Sequence, residues 1–161
     1  LRRRLVIENL TVVQPRNAEV QSLDPDAQLF SRDADQCCHV RKTLPMLRAL
    51  SPYKAWVSGR KRYQSSTRKD LPLFEVQDRW IKVNPLADWS AKMIADYARK
   101  LDLPPHPLVA RGYLSIGCEP CTRPVAQGEA DPRAGRWADS AKTECGIHFE
   151  DGKVVRTSQK S

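Results

Sequence analysis

Long hydrophobic runs are absent from this sequence of 161 residues. No apolar stretch approaches the roughly 20 residues that a membrane-spanning helix requires. Glycine is also scarce, with seven residues against twelve prolines, and we find no internal repeat or low-complexity segment. These absences exclude membrane-spanning and fibrous classes of protein. Hydrophobic residues make up 40% of the chain and charged residues 29%, which is sufficient for the core of about one globular domain.

An initiating methionine is missing as well, because the chain opens with Leu-Arg-Arg-Arg. The apolar run at residues 5–7 is too short for a secretory signal. The absence of Met leads us to expect that the sequence either begins inside a longer protein or has been processed at its start.

Acidic residues are few in the first part of the chain. Residues 1–70 carry 14 basic and 7 acidic side chains, whereas residues 71–161 carry 13 and 12. A basic half indicates an anionic partner. Nucleic acid, a membrane surface and a phosphorylated or sulfated small molecule all satisfy this charge pattern.

Hydrophobic periodicity predicts alternating strands and helices, which is typical of an α/β fold with a largely parallel sheet. Strands are predicted at residues 10–13 and, buried, at 53–57, and a hairpin at 73–76 and 80–83. Helices are predicted after an Asn17 cap, from Cys37 to Leu50 with a kink at Pro45, and after a Ser90 cap. The basic segment 60–69 is predicted to be a loop.

Five cysteines exclude a fully paired disulfide set. They form an adjacent pair, a CxxC and a singleton, which indicates four ligands plus one reactive thiol in a reducing, cytoplasmic setting. The ligand set would be Cys37, Cys38, Cys118 and Cys121. Zinc and an iron–sulfur cluster both fit four thiolates. Adjacent thiolates favour a cluster over zinc, because each thiolate can bind a separate iron. The alternative is that the cysteines bind no metal and are small buried hydrophobic residues.

The fifth cysteine, Cys145, lies apart in the sequence ECGIH, close to Lys142. Nearby positive charge favours the thiolate, which is the nucleophilic form. Two interpretations stay open from these residues alone: a catalytic nucleophile and an idle surface thiol.

Several stretches together resemble the assimilatory sulfonucleotide reductases, specifically the thioredoxin-dependent, iron–sulfur adenylyl-sulfate reductases. They occur in the family's order and cover roughly residues 35–148. The matching stretches are residues 37–42 (CCHVRK), 56–62 (WVSGRKR), 84–89 (NPLADW), 112–125 (GYLSIGCEPCTRPV), 133–137 (RAGRW) and 142–148 (KTECGIH).

The resemblance implies a fold: a Rossmann-like α/β sheet of the adenine-nucleotide α-hydrolase type, flanked by helices. The family's Ser/Gly-rich phosphate-binding loop is missing here, since the first glycine is Gly59. We therefore expect an N-terminally truncated chain with an apolar sheet face left exposed. Residues 1–149 are then the C-terminal part of one reductase domain, and residues 150–161 a flexible tail.

The resemblance also implies the chemistry. A 4Fe–4S cluster binds Cys37, Cys38, Cys118 and Cys121, and Cys145 attacks the sulfur of adenylyl sulfate. AMP leaves, and an external thioredoxin releases sulfite from the S-sulfonated cysteine, in sulfate assimilation and cysteine biosynthesis. Neither nucleic acid nor a membrane is an expected partner, and the oligomeric state stays open.

Basic residues in the matched stretches are the expected substrate ligands, since guanidinium groups bind phosphate and sulfate oxygens in pairs. A solvated surface charge is the alternative for each of them. His148 either tunes Cys145, contacts thioredoxin or is merely exposed. The predicted substrate-binding residues are Lys42, Arg60, Arg62, Arg133, Arg136 and His148, with Lys61 and Arg68 as further candidates.

Two other functions compete with this interpretation. A 3′-phosphoadenylyl-sulfate reductase shares the Cys145 motif, although the enteric members lack the four cluster cysteines. A zinc-stabilised, basic nucleic-acid-binding module shares the charge and the CxxC. That module predicts aromatic residues among the basic ones, whereas the segment 60–69 contains only Tyr63.

Overall fold

The computed structural model describes residues 2–138, 142, 144, 149–150 and 153–154, and for the last four residues it describes the backbone alone. The described chain divides into two compact units. The first unit contains residues 2–11, 57–73 and 84–138. The second contains residues 12–56 and 74–83 and the described residues from 142 onward. No helix in the described part of the chain is long and apolar enough to cross a bilayer.

The second unit begins with a run of short helices. They are α1 (Asn17–Leu23), α2 (Leu29–Arg32), α3 (Ala34–Cys38) and α4 (Leu44–Leu50). Asn17 is the first residue of α1 rather than its cap, and Arg16 occupies the N-cap position. The backbone N–H of Arg16 donates to the Glu19 carboxylate at 3.4 Å, so a side chain within the first turn satisfies the helix start.

The strand predicted at residues 10–13 is wrong. Residues 7–16 have no regular secondary structure, and the described strands all pair elsewhere. Leu10, Val12 and Val13 are exposed. The alternation of apolar residues is present, but a strand also needs a neighbour to take its backbone hydrogen bonds.

A π-helical turn, His39–Thr43, joins α3 to α4. Pro45 lies in the first turn of α4 and has no N–H to donate to the carbonyl of Arg41. The wider turn accommodates this missing hydrogen bond without ending the helical path. The predicted helical segment at residues 37–50, irregular at Pro45, is confirmed.

A three-stranded sheet has the order β1 (Ala55–Val57), β3 (Trp80–Val83), β2 (Phe74–Gln77). β2 and β3 form the predicted hairpin, with Phe74 opposite Val83 and Gln77 opposite Trp80. This pair is antiparallel, so the expected largely parallel arrangement is wrong for it. A two-residue turn joins the strands directly, whereas a parallel pair needs a long crossover.

The hairpin buries a face with charged residues and exposes an apolar face, which is the reverse of the usual pattern of burial. Lys82 is 2% exposed. Its ammonium lies 3.6 Å from the Glu75 carboxylate and 4.9 Å from the centre of the Trp56 ring. The other face carries Phe74 and Val76, which are 66% and 82% exposed. The expectation of an exposed apolar sheet face is therefore confirmed, while the burial predicted for residues 53–57 is wrong, since Tyr53 and Val57 are exposed as well.

The first unit contains the helix α5 (Ala91–Lys100). Its predicted cap is confirmed, because the Ser90 hydroxyl accepts the N–H of Met93 at 3.2 Å. Trp89 and Tyr97 pack edge to face at 5.3 Å. Met93, Tyr97 and Leu101 are nevertheless about half exposed, so the apolar stripe of this helix is only partly covered.

Near the C-terminus, the backbone forms a short antiparallel pair, β4 (Phe149–Glu150) and β5 (Lys153–Val154). The rest of the predicted flexible tail, residues 151–152 and 155–161, lies outside the described residues.

Candidate active site

The CxxC sequence forms one tight turn in the first unit. A 3₁₀ turn covers Glu119–Cys121 and follows Cys118. The N–H of Cys121 donates to the carbonyl of Cys118 at 3.0 Å, and the Thr122 hydroxyl donates to the same carbonyl at 2.7 Å. Pro120 suits this position, because its fixed φ matches the turn. Both cysteines of the CxxC are half-buried at the two ends of the turn.

The RAGRW segment packs against the chain that leaves this turn. Thr122 and Arg136 form a backbone bridge. The N–H of Arg123 donates to the carbonyl of Gly135 at 2.9 Å, and the N–H of Trp137 donates to the carbonyl of Cys121 at 3.1 Å. The CxxC stretch and the RAGRW stretch therefore form one substructure. It contains two of the predicted cluster ligands and two of the arginines predicted to bind the substrate.

Arg136 lies inside this substructure. The residue is only 9% exposed. Its Nη1 donates to the carbonyl of Ile116 at 3.2 Å, and its guanidinium carbon lies 4.3 Å from the centre of the Trp137 ring. A Cβ on Gly117 would come within 2.2 Å of Arg136 Nη2, so only glycine permits this approach. The Nε of Arg136 is buried and has no acceptor within the described chain. Arg133 reaches the same ring from 5.7 Å.

The basic loop is held by the NPLADW stretch. Asn84 is fully buried; its Oδ1 accepts the Ser58 hydroxyl at 2.8 Å, and Ser58 in turn accepts the N–H of Arg60 at 3.3 Å. The N–H of Arg62 donates to the carbonyl of Ala87 at 3.0 Å. The loop is thus a fixed structure built from two 3₁₀ turns, Arg62–Gln64 and Ser66–Arg68.

The predicted ligand Arg62 has protein partners. Its guanidinium forms an ion pair with Asp88, and Nε donates to the carbonyl of Leu71 at 2.8 Å. These contacts tie the loop to the rest of the first unit. An arginine held in this way has fewer donors left for a substrate.

Two other cations of the loop, Lys61 and Arg68, lie near one another. Lys61 donates its ammonium to the carbonyl of Gly59 at 2.8 Å, and Arg68, which is 9% exposed, donates to the Gln64 side chain at 2.8 Å. Burial, together with the charge of Arg68, lowers the pKa of Lys61 from its usual 10.5. A cation that is costly to keep charged gains from the binding of an anion.

The adjacent cysteines close α3 in the second unit. Asp33 caps this helix by accepting the N–H groups of Asp35 and Gln36 at 3.0 and 2.9 Å. Cys38 is 5% exposed and Cys37 is half-buried. Neighbouring residues of a helix point about 100° apart, so the two sulfurs face different directions.

Basic side chains follow the cysteine pair in the π-helical turn. Arg41 lies against the Cys37 side chain and forms an ion pair with Asp24 at 2.6 Å. The predicted substrate ligand Lys42 is half-buried in the same turn. The pKa of Arg41 is raised, first by its hydrogen bond to Asp24 and further by Cys37.

The predicted nucleophile Cys145 and His148 lie outside the described residues. Lys142, three residues before Cys145, forms an ion pair with Asp35 of α3, and its side chain is 10% exposed. In the described part of the chain, no three His, Cys, Asp or Glu side chains form a metal-binding group.

Residues 1–124 match the profile of the family described as Phosphoadenosine phosphosulfate reductase domain. The chain belongs to this family. An adenosine 5'-phosphosulfate reductase of Mesorhizobium japonicum is 50% identical over 94% of this chain and 59% of its own length. A phosphoadenosine 5'-phosphosulfate reductase of Gloeobacter violaceus is 50% identical over 75% of this chain and 52% of its own length.

A solved structure supports the fold of this reductase-family chain. The phosphoadenylyl-sulfate reductase of Candida auris, in a phosphate complex, has a TM-score of 0.51 and 26% identity, and the match covers 68% of this chain and 51% of that chain. The predicted fold class, an α/β fold of the adenine-nucleotide α-hydrolase type, is confirmed. The chain spans 59% of the length of the Mesorhizobium relative, and the assignment of residues 1–149 to a single domain stays a prediction.

Sequence reasoning named Lys61 and Arg68 only as further candidates and did not single out Arg41 or Asp24, which the structure places beside each other. One signal was available for Arg41, which follows Cys37 by four residues and therefore shares its helix face. No signal pointed to Asp24, because its partner is 17 residues away.

Proposed function

We propose that this chain takes part in the reduction of adenylyl sulfate to sulfite and AMP, a step of sulfate assimilation that supplies cysteine biosynthesis. The observation that carries the proposal is the 50% identity, over 94% of this chain, to a protein named adenosine 5'-phosphosulfate reductase. A Chelativorans protein of the same name is 52% identical over 90% of this chain. Since the chain belongs to this reductase family, we set the nucleic-acid-binding alternative aside.

Cys145 is the proposed nucleophile. Its thiolate attacks the sulfur of adenylyl sulfate, the bond from that sulfur to the bridging oxygen breaks, and AMP leaves with the electron pair. The product is an S-sulfonated cysteine. A thiolate of reduced thioredoxin then attacks the Cys145 sulfur, sulfite departs with the electron pair of the S–S bond, and the second thioredoxin thiol resolves the mixed disulfide. The dithiol thus supplies both electrons.

The Lys142–Asp35 ion pair supports this role. Lys142, three residues before Cys145 in the sequence, contacts the helix that carries the cysteine pair. A neighbouring positive charge favours the thiolate form of a cysteine, as a nucleophile requires. His148, three residues after Cys145 in the sequence, is proposed to tune Cys145 or to contact thioredoxin.

Cys37, Cys38, Cys118 and Cys121 are proposed to supply the four sulfur ligands of a 4Fe–4S cluster. The donors fit this group. Four cysteine thiolates are its usual ligands, and the chain supplies two at the end of α3 and two at the ends of the CxxC turn. When bound, the cluster supplies electrostatic and structural support rather than electrons. Cysteines kept reduced for this purpose favour a cytoplasmic setting.

Anionic oxygens of the substrate are proposed to bind basic residues of the matched stretches. Lys61 and Arg68 have the charge and the burial that favour an anion. Arg136 has a buried Nε–H that requires an acceptor, and Arg133 lies over the same ring. Lys42, Arg60 and Arg62 are proposed as further ligands, although Arg62 already pairs with Asp88.

Reduction of 3′-phosphoadenylyl sulfate is the second candidate function. It is favoured by the 50% identity to the Gloeobacter protein, which is named a phosphoadenosine 5'-phosphosulfate reductase. The extra phosphate would use additional basic residues of the loop, and the basic half of the chain provides them. The ratio of kcat/KM for the two nucleotides decides between the two functions.

The test combines turnover with mass spectrometry. We expect the purified chain to release AMP and sulfite from adenylyl sulfate in the presence of reduced thioredoxin. Without thioredoxin, a tryptic peptide containing Cys145 should gain one SO₃ group. The variant Cys145→Ser should lose both signals and retain its iron. An SO₃ group on another cysteine, or sulfite formation by Cys145→Ser, would remove Cys145 from the mechanism.

A further inference from the structure

Asp24 is a buried carboxylate with a complete set of partners in the second unit. It is 2% exposed and lies just after α1. Its Oδ1 accepts the N–H of Leu29, the first residue of α2, at 2.8 Å. Its Oδ2 accepts both Nε and Nη2 of Arg41, at 3.2 and 2.6 Å. A buried carboxylate is costly unless it is paired in this way.

The two bonds from Nε and Nη2 hold one edge of the Arg41 guanidinium. A guanidinium carries five N–H donors in a rigid plane, so fixing one edge fixes the directions of the others. The second neighbour of this group is the Cys37 side chain, because Arg41 follows Cys37 by four residues and therefore lies on the same face of the helical segment. The nearby Cys37 also contributes to the raised pKa of Arg41. The Arg41 side chain is 34% exposed, so part of it contacts water. Water does not fix the orientation of a side chain, whereas the two bonds to Asp24 do.

We propose that Asp24 is a positioning residue, which orients the Arg41 guanidinium toward the Cys37 sulfur and so stabilises Cys37 as a ligand of the cluster. The inference rests on the cluster of the proposed function. Hydrogen bonds to ligand sulfurs tune iron–sulfur centres, and loss of such an outer partner typically weakens metal binding by about 10- to 100-fold. In this proposal Asp24 acts through Arg41.

Iron retention by the full chain tests this order of action. We expect the wild-type protein to bind about four irons per chain, the content of one 4Fe–4S cluster. Asp24→Asn should lose its visible cluster absorbance to a chelator about 10-fold faster or more. In an Arg41→Gln background, Asp24→Asn should have no further effect, because the residue through which it acts is gone. An equal effect in both backgrounds would overturn the inference.

A matched control separates positioning from general stabilisation. Glu19 is likewise a carboxylate paired with an arginine of the same unit, Arg48, at 3.0 Å. Glu19→Gln should lower the free energy of unfolding and leave both the iron loss and the Fe–S(Cys) bands in the resonance Raman spectrum unchanged. Asp24→Asn and Arg41→Gln should shift those bands alike. Bands that stay at their wild-type positions in Asp24→Asn would contradict the inference.

Other outcomes are also decisive. If Asp24→Asn fails to fold, Arg41→Lys takes its place, since a single ammonium keeps the charge but cannot contact both neighbours with a rigid plane. Iron loss at the wild-type rate in Arg41→Lys would overturn the inference. A wild-type protein without iron would overturn the proposed cluster and this inference together, whereas iron-replete variants with wild-type behaviour would overturn the role of Asp24 alone.

Discussion

Gly135 allows the RAGRW segment to pack against the chain that leaves the CxxC turn. A Cβ at this position would lie 2.1 Å from the carbonyl oxygen of Arg123, which is rigid backbone. The variant Gly135→Ala must therefore separate the two segments. The separation would break the hydrogen bond from the N–H of Arg123 to the carbonyl of Gly135, and the neighbouring bond from Trp137 to Cys121.

Each of these hydrogen bonds contributes about 1 kcal/mol, so we expect a loss of about 2 kcal/mol in the free energy of unfolding. For a chain of this length, such a loss lowers Tm by roughly 4–8 °C. Gly117→Ala should cost about 1–3 kcal/mol, because Arg136 must leave both the Ile116 carbonyl and the Trp137 ring.

Gly59 provides the matched control. Nothing lies within 4 Å of a Cβ placed there, so Gly59→Ala should change the free energy of unfolding by no more than about 1 kcal/mol, in the stabilising direction. Urea unfolding followed by tryptophan fluorescence measures all three variants. The reasoning is refuted if Gly135→Ala unfolds at the wild-type urea concentration, or if Gly59→Ala is equally destabilised.

Two further predictions concern pH. The pKa of Lys61 is lowered by burial and by Arg68, so its positive charge is lost on the alkaline side at a pH below its usual 10.5. The affinity for adenylyl sulfate should therefore fall as the pH rises through that pKa. The variant Lys61→Gln should bind adenylyl sulfate more weakly and should lack this decline. A decline of the same size in Lys61→Gln would contradict the role of Lys61 in binding the substrate. The pKa of Asp24 is lowered from 3.8 by its hydrogen bonds from Arg41, so its contribution to stability is present above pH 3.8 and disappears as the pH falls through the lowered pKa. The difference in urea midpoint between wild type and Asp24→Asn should accordingly narrow on acidification, and a difference that is constant with pH would show that this ionisation makes no contribution.

Features that depend on a few neighbouring residues could be predicted from the sequence. The Ser90 cap, the irregular helix at Pro45 and the β2–β3 hairpin each follow from local hydrogen bonding and backbone geometry. The spacing of the cysteines and the order of the matched stretches indicated the family that the comparison found.

The tertiary structure alone decided which charged groups meet. Arg41 pairs with Asp24, 17 residues earlier, and Arg62 pairs with Asp88, 26 residues later. Lys82 is buried while Val76 is exposed, against the usual preference of both side chains. Local sequence determines which conformations a segment favours, whereas the partner of a charged side chain depends on the segment that the fold places beside it.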